Sequence, residues 1–125
     1  MSENKSTVSI APWLGVENVQ KAITFYKEAF SVSEQYSLRG DDGTPVIAQL
    51  SFGGSDFWIQ EDSALHPESG KSFRIIITIP DPDPVFEQAL AAGAIEIVPI
   101  SEAHGWRIGR LEDPFGYHWE IGRQL

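Results

Sequence analysis

The sequence predicts an α+β fold made of two βαβββ modules. Three observations carry this. Short apolar segments and one amphipathic helix recur in the same order, at an offset of about sixty residues, within the range that marks internal duplication. A stretch rich in turn formers, Asp62 to Lys71 with Pro67 and Gly70, separates the two passes. Finally, a βαβββ unit exposes one sheet face that it cannot bury alone, so two units must pair. Two paired, curved sheets make a half-open barrel whose concave cleft is the natural place for a ligand. One domain over residues 1–125 is expected, with module one at about 7–61 and module two at about 72–125.

The elements follow in order. Val8 to Val16 reads as a short apolar strand, with Pro12 suited to an edge or bulge. Asn18 is placed to cap a helix in which Val19, Ala22, Ile23, Tyr26 and Phe30 form one stripe. Lys21, Lys27 and Glu28 fall on the opposite face. Strands are expected at Ser33 to Arg39 and Val46 to Phe52, joined through Gly40-Asp41-Asp42-Gly43. Gly53-Gly54 turns the chain into a third strand around Phe57-Trp58-Ile59.

The second pass opens with Phe73 to Ile79, an isoleucine-rich strand. Asp81-Pro82-Asp83-Pro84 starts a helix, with Asp83 as cap and Pro84 at the first helical position. Phe86, Ala89 and Leu90 form its buried stripe and Gly93 its stop. Three more strands fit Ile95 to Ile100, Trp106 to Leu111 and Tyr117 to Ile121, the last two joined by Asp113-Pro114-Phe115-Gly116.

Composition narrows the function classes. Hydrophobic residues make up 42% and charged residues 22%, ordinary globular usage. The chain has no cysteine, which excludes disulfides and thiolate metal sites and fits a reducing cytoplasm. Met1 to Thr7 is polar and lacks the apolar core of a secretory signal, and no apolar run reaches bilayer-spanning length, so no membrane partner is expected. A formal net charge of -9 repels phosphate backbones and anionic lipid, and Arg107 and Arg110 are too sparse for a nucleic-acid track. A small molecule is the expected partner.

Two motifs then carry a resemblance. The run from Trp13 to Phe30, and above all Ala22-Ile23-Thr24-Phe25-Tyr26-Lys27-Glu28-Ala29-Phe30, resembles the opening of the vicinal-oxygen-chelate proteins: glyoxalase I, bleomycin-resistance proteins, extradiol dioxygenases and fosfomycin-resistance enzymes. Its wording is most similar to the PhnB-like branch. Leu111-Glu112-Asp113-Pro114-Phe115-Gly116-Tyr117-His118-Trp119-Glu120-Ile121 is similar to the closing signature of that family.

The resemblance implies a homodimer, and for the family's enzymes one divalent metal held by His, Glu or Gln from four strands as a Lewis acid. Carried over residue by residue, the fourth ligand matches Glu120. The first falls on Ala11, which has no donor atom, and the third on Arg74, a permanent cation. The second lies near Ile59 or Gln60. The metal site is therefore incomplete and the cofactor unknown. Arg74 and Glu120 should share the cleft, where Arg74 pairs with Glu120 or grips an anionic ligand group; an ion pair without chemical role is the alternative.

Other candidates are weighed the same way. His66, beside Pro67, is read as solvated. His104, before Gly105 and Trp106, falls where this family often has a loop covering the pocket, and is either a ligand contact or proton donor or a loop residue without a chemical role. His118 and Glu120 alternate onto one strand face, as an acid/base pair or a partial metal site, against the alternative that so common a spacing on a strand carries no chemical role. Of the four tryptophans, Trp58 and Trp106 are expected in the pocket, while Trp13 and Trp119 are expected under the helices. Two functions follow. One is a metal-independent binding protein of the bleomycin-resistance type, in which Arg74, Trp58, Trp106, His104, Gln60 and Glu120 select the ligand. The other is a metal-dependent lyase or dioxygenase of the glyoxalase type, with Glu120 and His118 or Gln60 holding the metal; a stable dimer with a vestigial cleft is the alternative to both.

Overall fold

A computed structural model describes residues 9–62 and 73–125. The first βαβββ unit comprises β1 (Trp13–Val16), α1 (Val19–Phe30), β2 (Ser33–Arg39), β3 (Pro45–Phe52) and β4 (Ser55–Glu61). The second comprises β5 (Arg74–Thr78), α2 (Pro82–Ala91), β6 (Ile95–Ala103), β7 (Trp106–Glu112) and β8 (His118–Gln124). Each unit forms its own four-stranded sheet, in the orders β1-β4-β3-β2 and β5-β8-β7-β6. The first strand of each unit pairs parallel with its last, which the intervening helix permits, and the other pairings are antiparallel hairpins. The two-module α+β architecture thus matches the sequence expectation, with the sheets unclosed. His66 lies outside the described residues, as does most of the expected boundary loop.

The first strand is shorter than expected. Pro12 has no N–H to give to a ladder and stays outside β1, where its carbonyl accepts the Trp58 N–H at 2.9 Å. Asn18 caps α1 as its residue type demands, its Oδ1 accepting the Lys21 N–H at 3.0 Å. The helix buries Val19, Ala22, Ile23, Phe25, Tyr26, Ala29 and Phe30. Ser31, in the left-handed region at φ 57°, closes it by donating its N–H to Lys27 O.

The second helix begins earlier than the sequence predicts. Asp81, not Asp83, is the cap position, and Pro82 rather than Pro84 is the first helical residue. Two prolines in the first turn are both tolerated, because neither N–H has an intrahelical partner there. Asp83 is drawn elsewhere: its carboxylate receives Arg107 Nε at 2.9 Å and Nη2 at 2.6 Å. That guanidinium holds the Asp83 carboxyl below its ordinary range.

One core serves both units. The Tyr26 ring meets Phe57 of β4 edge-on at 5.2 Å and Trp119 of β8 at 5.6 Å, and Phe30 lies 4.8 Å from Trp119. Leu14, Ile59, Leu111 and Ile121 complete the contact from the two sheets at 0% exposure. Each such side chain stabilises the fold by roughly 1.5–3 kcal/mol relative to leaving it exposed. Phe86 of α2 fits because residue 109 is glycine: a Cβ there would lie 2.9 Å from the Phe86 ring and 2.8 Å from Ile100. At the sheet junction, Tyr117 Oη donates to Gly15 O at 2.8 Å and accepts the Gly15 N–H at 3.0 Å. The hydroxyl of the second unit thereby satisfies backbone groups on the edge strand of the first.

Candidate functional site

Burying α1 and α2 against one face of each sheet leaves the opposite faces open, and those faces carry the polar and aromatic residues. Between the sheets runs a cleft of about 860 Å³. Its walls come from the segment before β1 (Ile10), from the β3–β4 hairpin (Gln49, Asp56, Trp58) and from β5 (Ile76, Thr78).

The open face of the first sheet is aromatic. Phe57 and Ile59 point into the core, so alternation places Trp58 and Gln60 together on the open face, which sets the phase that the sequence left undetermined. Trp13 is opposite Trp58 in register, and the two rings stack at 5.7 Å with 20° between planes. Trp13 Nε1 donates to Gln60 Oε1 at 2.8 Å, which fixes the indole's orientation. Tyr36 of β2 approaches Trp58 edge-on at 6.1 Å. Trp13 is 53% exposed, not packed under the helices as expected. The reason is simple: it lies two residues after Ala11 and shares that residue's side of the chain. Trp119 is buried as expected. Gln49 Nε2 donates to Asp56 Oδ2 at 2.7 Å, adding a polar spot to the cleft wall.

The open face of the second sheet is charged. Arg74 and Glu120, expected to share the cleft, form an ion pair at 2.9 Å. His118 shares their face; its Nε2 lies 3.8 Å from Glu112 Oε1, beyond hydrogen-bond range, and is buried without a hydrogen-bond partner. His118 and Glu120 therefore share a face without sharing a proton partner. Arg110, directly across from Glu120 in register, has a buried Nε that likewise lacks a partner. The sequence singled out Arg110 only as part of a basic pair too sparse for nucleic acid, and Tyr36 not at all. Their alternation was readable, but their cross-strand neighbours depend on register.

His104 is not in a long covering loop. It occupies the first position of a tight two-residue turn with Gly105, at φ 55° and 84°, the left-handed pair that joins β6 directly to β7. His104 is exposed in that turn, and Trp106 at the start of β7 pairs with Ala103 and Gln124. Of the residues expected in the pocket, Trp58 lines the cleft; His104 and Trp106 do not, and Gln60, Arg74, His118 and Glu120 lie on the open sheet faces outside its lining.

The family's enzymes imply a divalent metal, and the residues present do not fit one. The carboxylate of Glu120 is engaged by a guanidinium, which competes with any cation for the same oxygens. Ala11 offers no donor, and among the described residues no three His, Asp or Glu side chains converge. No step can be derived through a metal here.

Two βαβββ units, each with its first and last strands parallel, sharing a helical core and an inter-sheet cleft, define the vicinal-oxygen-chelate architecture. The chain belongs to the glyoxalase/bleomycin resistance protein/dioxygenase superfamily, whose family model matches residues 8–121. An uncharacterised protein of Mycobacterium bovis is 32% identical over 127 residues, spanning 94% of this chain and 84% of that protein. Two solved structures share the fold. TioX from a Micromonospora species has a TM-score of 0.77 at 22% identity, covering 95% of this chain and 100% of that one. A PhnB protein from Bacillus cereus has a TM-score of 0.70 at 22% identity, covering 90% and 97%. At such identities the likeness speaks for fold alone. No helix among the described residues is long and apolar enough to cross a membrane.

Proposed function

We propose that this protein is a metal-independent small-molecule-binding member of its superfamily, of the bleomycin-resistance type and the PhnB-like branch. The observation that carries the reading is the cleft of about 860 Å³ with Trp58 in its wall, backed by the stacked Trp13. Volumes of this size suit drug-sized ligands, and rigid indoles bind flat rings at low entropic cost. Gln60 holds the Trp13 ring ready by its hydrogen bond, so little ordering remains for the ligand to impose. The Arg74–Glu120 pair supports metal independence, since it supplies the fixed positive charge at the position where the resemblance implies a metal ligand.

The reading includes a homodimer in the cytoplasm with no nucleic-acid or membrane partner. Exposed Tyr36, Leu38 and Ile95 on the two outer strands support burial by a second copy.

The test joins metal analysis to ligand screening. Protein purified without chelators is assayed for metal and titrated calorimetrically with nickel, zinc and manganese. Absence of metal heat, together with saturable tryptophan quenching by a planar organic ligand that Trp58→Ala abolishes, is the expected result. One tightly held metal per chain, lost in Glu120→Ala, would instead establish the metal-dependent lyase or dioxygenase.

A further inference from the structure

The open face of the second sheet carries a charge imbalance that the Arg74–Glu120 pair leaves unresolved. Along one row of the sheet, Ile76, Glu120, Arg110 and Val98 stand in register. Cross-strand neighbours on one face lie roughly 4.5–5.5 Å apart at Cβ, so Arg110 and Glu120 are placed to pair. They do not: Glu120 Oε2 turns to Arg74 Nη1 at 2.9 Å, on the other side of the row. Glu112, two residues on from Arg110 on the same face, is directed at His118 instead. Among the described residues, no carboxylate lies within ion-pair range of Arg110, and its buried Nε has no acceptor.

A guanidinium carries five donors in a rigid fork and no acceptor, and it cannot shed its charge. Leaving a fixed cation of this kind without a carboxylate partner is costly, so an anion that reaches the exposed part of its fork gains a charge-assisted contact. The side chain is only partly buried, so the rest of the fork reaches the open face. Its neighbour on β6, Val98, is apolar and 41% exposed, and Ile76, one strand beyond Glu120 in the same row, is 59% exposed; both suit the carbon body of a ligand.

We propose that Arg110 is an oxyanion-binding residue: its two Nη groups, the part of the fork that is not buried, take a carboxylate or phosphonate group of a small organic ligand lying on the open face of the second sheet. Two planar N–H groups side by side match the spacing of two oxygens on one carbon or phosphorus atom, giving a bidentate contact. His118, with Nε2 also lacking a hydrogen-bond partner on this face, lies one row away beside Glu112. The overall charge of -9 opposes anions at a distance, but screening over about 8 Å at physiological salt leaves the local guanidinium in control. The proposal rests on the proposed function only in taking this face as ligand surface.

The test follows the arginine Nε–H resonances by NMR while acetate, benzoate, methylphosphonate and phenylphosphonate are titrated in turn at constant ionic strength, with chloride as control. The Arg110 signal is assigned by its absence in Arg110→Lys, which keeps charge and bulk but loses the fork. The expected result is a saturable shift of that signal by at least one oxyanion class, not by chloride. Affinity, followed in the variants by the backbone amide shifts of Val98, residue 110 and Glu120, should fall about tenfold or more in both Arg110→Lys and Arg110→Gln. Acetate against methylphosphonate tells which oxyanion the site prefers. An Arg110 signal that stays still, or moves equally with chloride, overturns the proposal; so does undiminished binding in Arg110→Lys. Trp58→Ala separates the two readings. Simple anions that shift Arg110 while no organic ligand quenches tryptophan would sustain this site and remove the proposed aromatic cleft. Quenching without any Arg110 shift would do the reverse.

Discussion

Tyr26 Oη donates a 2.5 Å hydrogen bond to Asp113 Oδ2, joining the helix of the first unit to the turn before the last strand of the second. Asp113 is 2% exposed, and its carboxylate also accepts Trp119 Nε1–H and the backbone N–H groups of Phe115 and Tyr117, each at 2.9 Å. Four donors converge on one buried carboxylate. Burial raises the Asp113 carboxyl above its ordinary range, against the downward pull of those bonds. The Asp-Pro-Phe-Gly turn thus serves as the fastening between modules, and its aspartate has a structural rather than a chemical role.

Removing that fastening should cost more than removing one of its donors. Asp113→Ala strands the Tyr26 hydroxyl, the Trp119 indole N–H and two backbone N–H groups, and roughly 3–5 kcal/mol of stability should go with them. Tyr26→Phe deletes a single charge-assisted bond and should cost about 1–3 kcal/mol. Urea unfolding of both variants measures the difference. Equal losses would mean that the carboxylate's other bonds contribute nothing net.

The same pair sets an alkaline limit. The Tyr26 hydroxyl is raised well above 10.0, first by burial and then by the Asp113 charge and hydrogen bond. A group whose folded pKa is raised contributes stability that is complete below its unfolded value and is lost as pH climbs past it. Above about pH 10 the unfolded chain releases the Tyr26 proton while the folded chain keeps it, so the native state binds more protons and its stability must fall with pH. Stability measured from pH 9 to 11 should decline in the wild type and decline less steeply in Tyr26→Phe. Parallel slopes would remove Tyr26 from the account.

Close approach of backbone explains a glycine that the sequence did not flag. A Cβ on Gly122 of β8 would stand 2.5 Å from the Arg107 carbonyl oxygen and 2.7 Å from Ile108 Cβ, both on the neighbouring strand β7. Backbone cannot move aside without disturbing the ladder. Gly122→Ala should therefore destabilise by about 1–3 kcal/mol or more. A denaturant midpoint equal to wild type would show that the strands separate freely there.

What the sequence disclosed and what it withheld divide along a physical line. Local signals were reliable: Asn18 as cap, the Val19 to Phe30 stripe and the bounds of Ser33 to Arg39 all stand as read. Counting back from Asp81 and Gly93 to Arg74, and matching the closing motif at Glu120, was enough to bring the two to one place. Long-range partners were not readable. Asp83 reaches across to Arg107 and leaves the cap to Asp81, and nothing local to the Asp81-Pro82-Asp83-Pro84 run distinguishes the two aspartates. Arg110 acquired its significance only from the register of β7 against β8. Trp13 was misplaced although alternation from Ala11 sufficed to put it on the open face.

The two kinds of tryptophan should separate cleanly by mutation. Trp119 is 2% exposed and touches Tyr26, Phe30 and Phe57, so Trp119→Ala opens a cavity and should cost about 3–5 kcal/mol. Trp13 is 53% exposed and stacks on one ring, so Trp13→Ala should cost about 0.5–1.5 kcal/mol. Thermal melts give the order directly. A Trp13 loss as large as that of Trp119 would mean that the open aromatic face is covered in solution.

Arg74 offers the last contrast, because its ion pair sits at the mouth of the charged face rather than inside the core. Half of its side chain is exposed, as is about a fifth of that of Glu120. Water screens such a pair, and holding two long side chains in one geometry consumes most of the Coulombic gain. Arg74→Gln should therefore change stability by less than about 1 kcal/mol, and 0.5 M NaCl should move the wild-type melting temperature no more than it moves the variant's. The glutamine keeps a hydrogen-bond donor for Glu120 while removing the positive charge, so any change in anion affinity reports charge rather than collapse of the face. A loss above 2 kcal/mol would show instead that the pair is desolvated and part of the structural frame, with Arg74 unavailable to a ligand.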